Sequence, residues 1–155
     1  MQAGQYSVAD WDWTQAPGAV QHGADMVAAG LPHRRESVTQ SVRIGPSKVY
    51  ITVGFYDEER TRLGEIFISL EKTGSERRAI MDEVARLASK LLQYGSTVEE
   101  LAEGWVGVKS GEDAPSGPVL GDPRIKMCSS VLDYVGRYLL VYYCSRGDLA
   151  HATPA

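Results

Sequence analysis

Hydrophobic and polar positions alternate with period two over three stretches in the first half of the chain. Val38, Gln40, Val42 and Ile44 fall on one side of an extended segment, with Thr39, Ser41 and Arg43 on the other. After Gly45-Pro46-Ser47 the alternation resumes with Val49, Ile51, Val53 and Phe55. Two alternating runs across a short Gly-Pro turn predict a β-hairpin. Residues 57–63 are mostly charged and read as a loop, with Asp57, Glu58 and Glu59 solvated. A third strand covers residues 65–71 and turns Ile66, Ile68 and Leu70 toward the core. Sequential strands with short connections predict an antiparallel meander.

The period then changes to that of a helix. Over residues 75–94 the spacing of Ile80, Val84, Leu87 and Leu91 draws an apolar stripe, which Met81, Ala88 and Leu92 widen. Gly95 supplies the stop. Ser96 and Glu99 form a capping-box pattern for a short second helix ending near Gly104, and residues 105–109 read as a brief strand. Residues 110–121 are rich in Gly, Pro, Ser and acid and predict a loop, long enough to serve as a lid. Asp122-Pro123 offers an N-cap followed by proline at the first helical position, so a last helix is predicted over 122–143. Its stripe holds Cys128, Val131, Leu132, Val135, Leu139 and Tyr142, flanked by Tyr134 and Tyr138. The expected architecture is α+β: a three-stranded or larger antiparallel meander with two main helices packed on one face.

Residues 1–30 show no convincing period and form an expected N-terminal arm, with the domain itself over 31–145 and a fraying tail over 146–155. The arm holds Trp11 and Trp13. Two tryptophans are costly to leave exposed, so the arm is expected to dock, on its own domain or on a protein partner.

Composition narrows the classes. The chain has 155 residues and 43% hydrophobic content, enough for one core. A net charge of −4 argues against a general nucleic-acid binder. No cationic-apolar leader opens the chain, and the longest apolar run, 138–144, is far short of a membrane span, so a soluble, cytoplasmic protein without a membrane partner is expected. Cys128 and Cys144 lie 16 positions apart in the predicted last helix. At ~1.5 Å rise per residue that is roughly 24 Å, too far for a disulfide, so both read as structural thiols. His22, His33 and His151 are scattered, and no metal-ligand, nucleophile-elbow or cofactor pattern appears. Neither a metal nor a cofactor is expected.

The short motifs carry more when taken in order. Leu31-Pro32-His33-Arg34-Arg35, Lys48-Val49-Tyr50-Ile51-Thr52-Val53-Gly54 and Gly64-Glu65-Ile66-Phe67-Ile68 come first. Leu92-Gln93-Tyr94-Gly95, Ser116-Gly117-Pro118, Asp122-Pro123-Arg124-Ile125 and Ser129-Ser130-Val131-Leu132-Asp133-Tyr134 follow. Over roughly residues 31–143 the chain resembles the TSCPD domain found near the C-terminus of adenosylcobalamin-dependent (class II) ribonucleotide reductases. In those enzymes a large barrel carries the radical chemistry, the cobalamin and the substrate site, and the chain end carries a nearby pair of cysteines. A barrel does not fit in 155 residues, and no second cysteine stands close to Cys144. The resemblance therefore implies an accessory domain without reductase activity, associated with nucleotide or nucleic-acid binding. The expectation is a non-catalytic module that binds or sequesters a nucleotide, extending to a phage-type sponge for a nucleotide signal. The alternative is a protein-interaction subunit of a split reductase.

Two cationic sets are candidates for the ligand site. The first is the turn Lys72-Thr73-Gly74-Ser75 with Arg77 and Arg78 at the start of the long helix. Free backbone N–H groups and the positive end of the helix favour a phosphate there, and the competing reading is an ordinary cap with solvated arginines. The second is Arg34 and Arg35 with Arg43, Lys48 and Tyr50, strand-borne cations beside an aromatic face that suits a base and its phosphates. Its competing reading is a solvated sheet face, which Tyr56, Arg60 and Arg62 do not alter. Asp133 and Arg137, one helical turn apart, read first as an ion pair. Apolar strips on a domain this small also predict a homo-oligomer with ligand sites at subunit boundaries.

Overall fold

A computed structural model describes residues 28–71 and 74–153; Trp11, Trp13, Lys72 and Thr73 lie outside the described residues. Three long strands, β1 (Ser37–Ile44), β2 (Ser47–Phe55) and β3 (Leu63–Leu70), form the expected meander. Gly45, at φ +57°, takes a left-handed turn conformation that glycine adopts without steric cost, and it sets the hairpin register at Ile44↔Ser47. Val42↔Val49 and Ile51↔Ile68 then share the covered face, while Arg43↔Lys48 and Thr52↔Phe67 share the open one. Two short strands, β4 (Gly117–Leu120) and β5 (Met127–Cys128), extend the sheet to the order β3-β2-β1-β4-β5, antiparallel throughout. The α+β fold expected from the pattern is the fold observed.

The long helix α1 (Ser75–Gln93) lies along the β3 edge. It buries Met81, Ala85, Ala88 and Leu92. This corrects the expected stripe: Ile80, Leu87 and Leu91 face solvent. Small alanines let the helix backbone approach the strand closely enough for side chains to bond it. Ser89 Oγ accepts from Ile66 N at 2.8 Å and donates to Ile66 O, and Gln93 Nε2 donates to Gly64 O. An edge strand whose backbone groups are covered in this way is no longer open to pairing.

The short helix α2 (Val98–Glu103) starts one residue later than expected, with Thr97 and Glu100 forming the capping box. Residues 105–107 are in a turn and 108–109 in no regular element, not in the expected strand. The last helix also differs. Asp122-Pro123 does not start it; α3 (Val131–Tyr143) begins after Ser130, whose hydroxyl accepts from Asp133 N at 2.9 Å. Asp122 is drawn inward instead. Its carboxylate, 1% exposed, accepts from the N–H groups of Arg124 and Ile125 and from the hydroxyls of Tyr134 and Tyr142. The two cysteines therefore do not share a helix: Cys128 is in β5, and Cys144 ends α3 as its cap. The 110–121 segment is a loop only as far as Ser116, since β4 follows.

The α3 helix is covered on nearly all sides, with Tyr134, Val135, Tyr138, Leu139, Leu140 and Val141 in the core. Full burial of each large apolar side chain contributes about 1.5–3 kcal/mol. Gly136 admits α2, because a Cβ there would meet Ala102 O at 2.9 Å and Trp105 Cβ at 3.0 Å. A 3₁₀ turn, Gly147–Leu149, follows α3, and the N–H groups of His151 and Ala152 bond Arg124 O.

Candidate anion-binding cleft

One end of the sheet gathers the starts of both main helices. Leu70 at the end of β3, Arg77 in the first turn of α1, Lys109 in the following connection, and Ser130 and Val131 at the start of α3 line a cavity of about 190 Å³. Met81 and Pro115 form part of its apolar wall. The connection is held in place by Ser110, whose N–H and hydroxyl both donate to Ser129 O, and by Arg77 Nη1, which donates to Asp113 O at 3.2 Å. Gly74 is the N-cap of α1 and no side chain bonds the first turn from that position. Backbone N–H groups of a first helical turn lack intrahelical partners, and the helix dipole adds positive potential there. Two cationic side chains on one cavity, beside the start of α3, suit an anion.

The first predicted set is thus placed in part. Arg77 lines the cavity, Gly74 caps the helix beside it, and Arg78 N bonds Gly74 O. Ser75 opens α1. Sequence reasoning missed Lys109 and the start of α3, which arrive through the path of the 108–115 connection.

The second predicted set is not brought together. Arg35 sits at the start of β1, where its guanidinium holds the buried Glu65 carboxylate, with Nη2 to Oε2 at 2.8 Å, and Arg34 is exposed beside it. Arg43 and Lys48 pair at the opposite end of β1, on the open sheet face. Lys48 Nζ lies 4.9 Å from the Tyr50 ring centroid, and Tyr50 OH donates to Glu71 at 3.3 Å. Glu71 N in turn bonds Lys48 O, so this part of the set stands next to the residue that follows β3.

Other candidates have structural roles. The Asp133 carboxylate accepts from Gly107 N, Ser129 N and Arg137 Nε, and Arg137 also bonds Leu149 O. Burial opposes its charge, but those donors outweigh burial and hold its pKa below the ordinary value. Asp57 closes its loop by accepting from Thr61 and Arg62, and Arg62 stacks over Tyr56 at 4.3 Å. Burial pushes the Cys128 thiol up to about 11, with the Asp133 charge adding to it, so it carries no thiolate at neutral pH. Among the described residues, no three His, Cys, Asp or Glu side chains stand together as a metal site. No helix among them is long and apolar enough to cross a membrane.

Residues 22–143 match the TSCPD domain. The chain belongs to the TSCPD domain family. Its relatives place this domain at the C-terminal portion of much longer proteins. A vitamin B12-dependent ribonucleotide reductase of Bradyrhizobium diazoefficiens is 42% identical over 124 residues, which is 80% of this chain and 10% of that protein. One of Agrobacterium fabrum is 43% identical over 121 residues, 78% of this chain and 9% of its own length. One of Streptantibioticus cattleyicolor is 30% identical over 128 residues, 81% of this chain and 20% of its own. The TSCPD chain thus spans between about a tenth and a fifth of the length of these reductases. No solved structure matches it.

Proposed function

We propose that this TSCPD domain is a non-catalytic module that binds a phosphate-bearing small molecule, a nucleotide, in the cleft between the starts of α1 and α3. The observation that carries the reading is the convergence of Arg77, Lys109 and the start of α3 on one cavity of about 190 Å³. That volume takes a phosphate and part of a sugar or base. A larger groove of about 460 Å³, between β3 and α1, is less suited to an anion because Glu65 and Asp82 share it with Arg86 and Lys90. With no reacting group at the cleft, the result of binding is sequestration or regulation of the nucleotide, signalling nucleotides of a phage-type sponge included.

Isothermal titration with a panel of nucleotides and inorganic phosphate tests this. The wild-type chain is expected to bind at least one nucleotide, and the Arg77→Ala/Lys109→Ala chain to bind it about a hundred-fold more weakly, since each charge-assisted contact contributes about tenfold. No heat with any member of the panel overturns the reading.

A second reading rests on the relatives: identity above 40% over most of this chain, against about a tenth of a reductase, fits an accessory subunit that docks a separate reductase chain. Co-purification with a reductase lacking its own TSCPD domain supports it, and failure to bind such a chain removes it.

A further inference from the structure

The apolar stripe that α1 turns away from the sheet is itself regular. Ile80, Leu87, Leu91 and Tyr94 are 55%, 53%, 49% and 48% exposed, and half-buried Val84 continues their line. Their spacing alternates between four and three residues, the knob spacing of a two-helix coiled coil. The stripe spans roughly 21 Å at ~1.5 Å per residue. A contiguous apolar patch of this kind on a helix otherwise rich in charge marks a protein interface.

The charges beside the stripe select the occupant. Met81 and Ala88 border it on the side already buried against the sheet. Glu83 and Lys90 border it on the outer side, one heptad apart and opposite in sign; Glu83 also accepts from Arg86 of its own helix at 2.8 Å, an exposed pair that leaves its carboxylate open to a second cation. A parallel copy of α1 in register would set Glu83 beside the partner's Ala88 and make no charge pair. An antiparallel copy, related by a two-fold axis midway between Val84 and Leu87, sets Glu83 within reach of the partner subunit's Lys90, and the reverse pair follows by symmetry. The same axis sets Val84 against the partner's Leu87 and Ile80 against the partner's Leu91. It also sets Arg77, a wall of the anion cleft, against the partner's Tyr94.

We infer that the chain forms a two-fold homodimer through antiparallel pairing of α1 along Ile80, Val84, Leu87, Leu91 and Tyr94, with Glu83 and Lys90 exchanging ion pairs across the axis.

Sedimentation equilibrium of the full chain at low ionic strength tests the pairing. The expected mass is twice 16.9 kDa. Leu87→Glu is expected to give a folded monomer, its far-ultraviolet circular dichroism unchanged because the side chain is exposed. Glu83→Lys and Lys90→Glu are each expected to weaken dimerisation about tenfold, since two exposed pairs per dimer turn from attraction to repulsion. The double reversal Glu83→Lys/Lys90→Glu restores it. A wild-type monomer at all concentrations overturns the inference. A dimer indifferent to Leu87→Glu, or single reversals that the double does not rescue, overturns it equally.

Discussion

At the scale of single residues, Asp122 has the most to lose. Its two carboxylate oxygens take four donors, and all four distances fall between 2.8 and 3.0 Å. They tie the turn between β4 and β5 to two tyrosines on α3. A buried donor left without an acceptor costs ~1–3 kcal/mol. Asp122→Ala is therefore expected to destabilise the fold by about 4 kcal/mol, a fall of roughly 10 °C in Tm for a domain of this length. Thermal unfolding checks it; a shift within ~2 °C means the tyrosines find other acceptors. This residue also shows what the sequence conceals. Asp122-Pro123 has the chemistry of a helix start, and Ser130 has it too. Only the arrival of the Tyr134 and Tyr142 hydroxyls, from 12 and 20 residues away, decides that Asp122 turns inward and that Ser130 caps the helix.

At the scale of elements, the long strands were legible because period-two alternation survives in each of them, and residues on one face share one environment. Two- and four-residue strands carry no such period, so the pattern predicts loop and helix where β4 and β5 lie. The existence of α1 was equally legible, but its buried face was not. Hydrophobicity favours Ile80, Leu87 and Leu91, whereas contact with an edge strand favours Ala85 and Ala88, whose small size allows Ser89 to reach the Ile66 backbone. Ser89→Ala removes that reach and leaves Ile66 N without its acceptor. The expected cost is about 1–2 kcal/mol, seen as a shifted urea midpoint and as faster hydrogen exchange along β3. Unchanged exchange at Ile66 refutes the helix-to-strand tie. The cleft was half legible for a related reason. A helix start with cations can be read from consecutive residues, as at Arg77, but Lys109 and the start of α3 reach the same cavity through the long-range bonds of Ser110 and Asp133.

At the scale of the whole molecule, the sheet and helices close over one shared core, and the aromatic part of that core lies on α3. The Tyr134, Tyr138, Tyr142 and Tyr143 rings follow one another along the helix, with neighbouring centroids between 5.2 and 6.2 Å, and Phe55 of β2 meets Tyr143 at 5.7 Å. Burial, with the Asp122 charge beside Tyr134 and the Tyr143 hydroxyl beside Tyr138, lifts both phenols far above the ordinary tyrosine value. Burial and the bond to Asp122 push Tyr142 up to about 12. Unfolded tyrosine ionises near pH ~10. Because the folded values are raised, the stability these groups contribute is complete below pH ~10 and is lost as pH rises above it. Tyr134 and Tyr138, two of the eight tyrosines, are thus a silent chromophore built into the fold. Their tyrosinate absorbance is expected to stay absent while exposed tyrosines titrate, then to appear in one step together with loss of the helical signal. A titration in which every tyrosine ionises near pH ~10 with the fold intact contradicts this. Otherwise the onset of ultraviolet tyrosinate absorbance in alkali is an optical read-out of the moment the core first admits hydroxide.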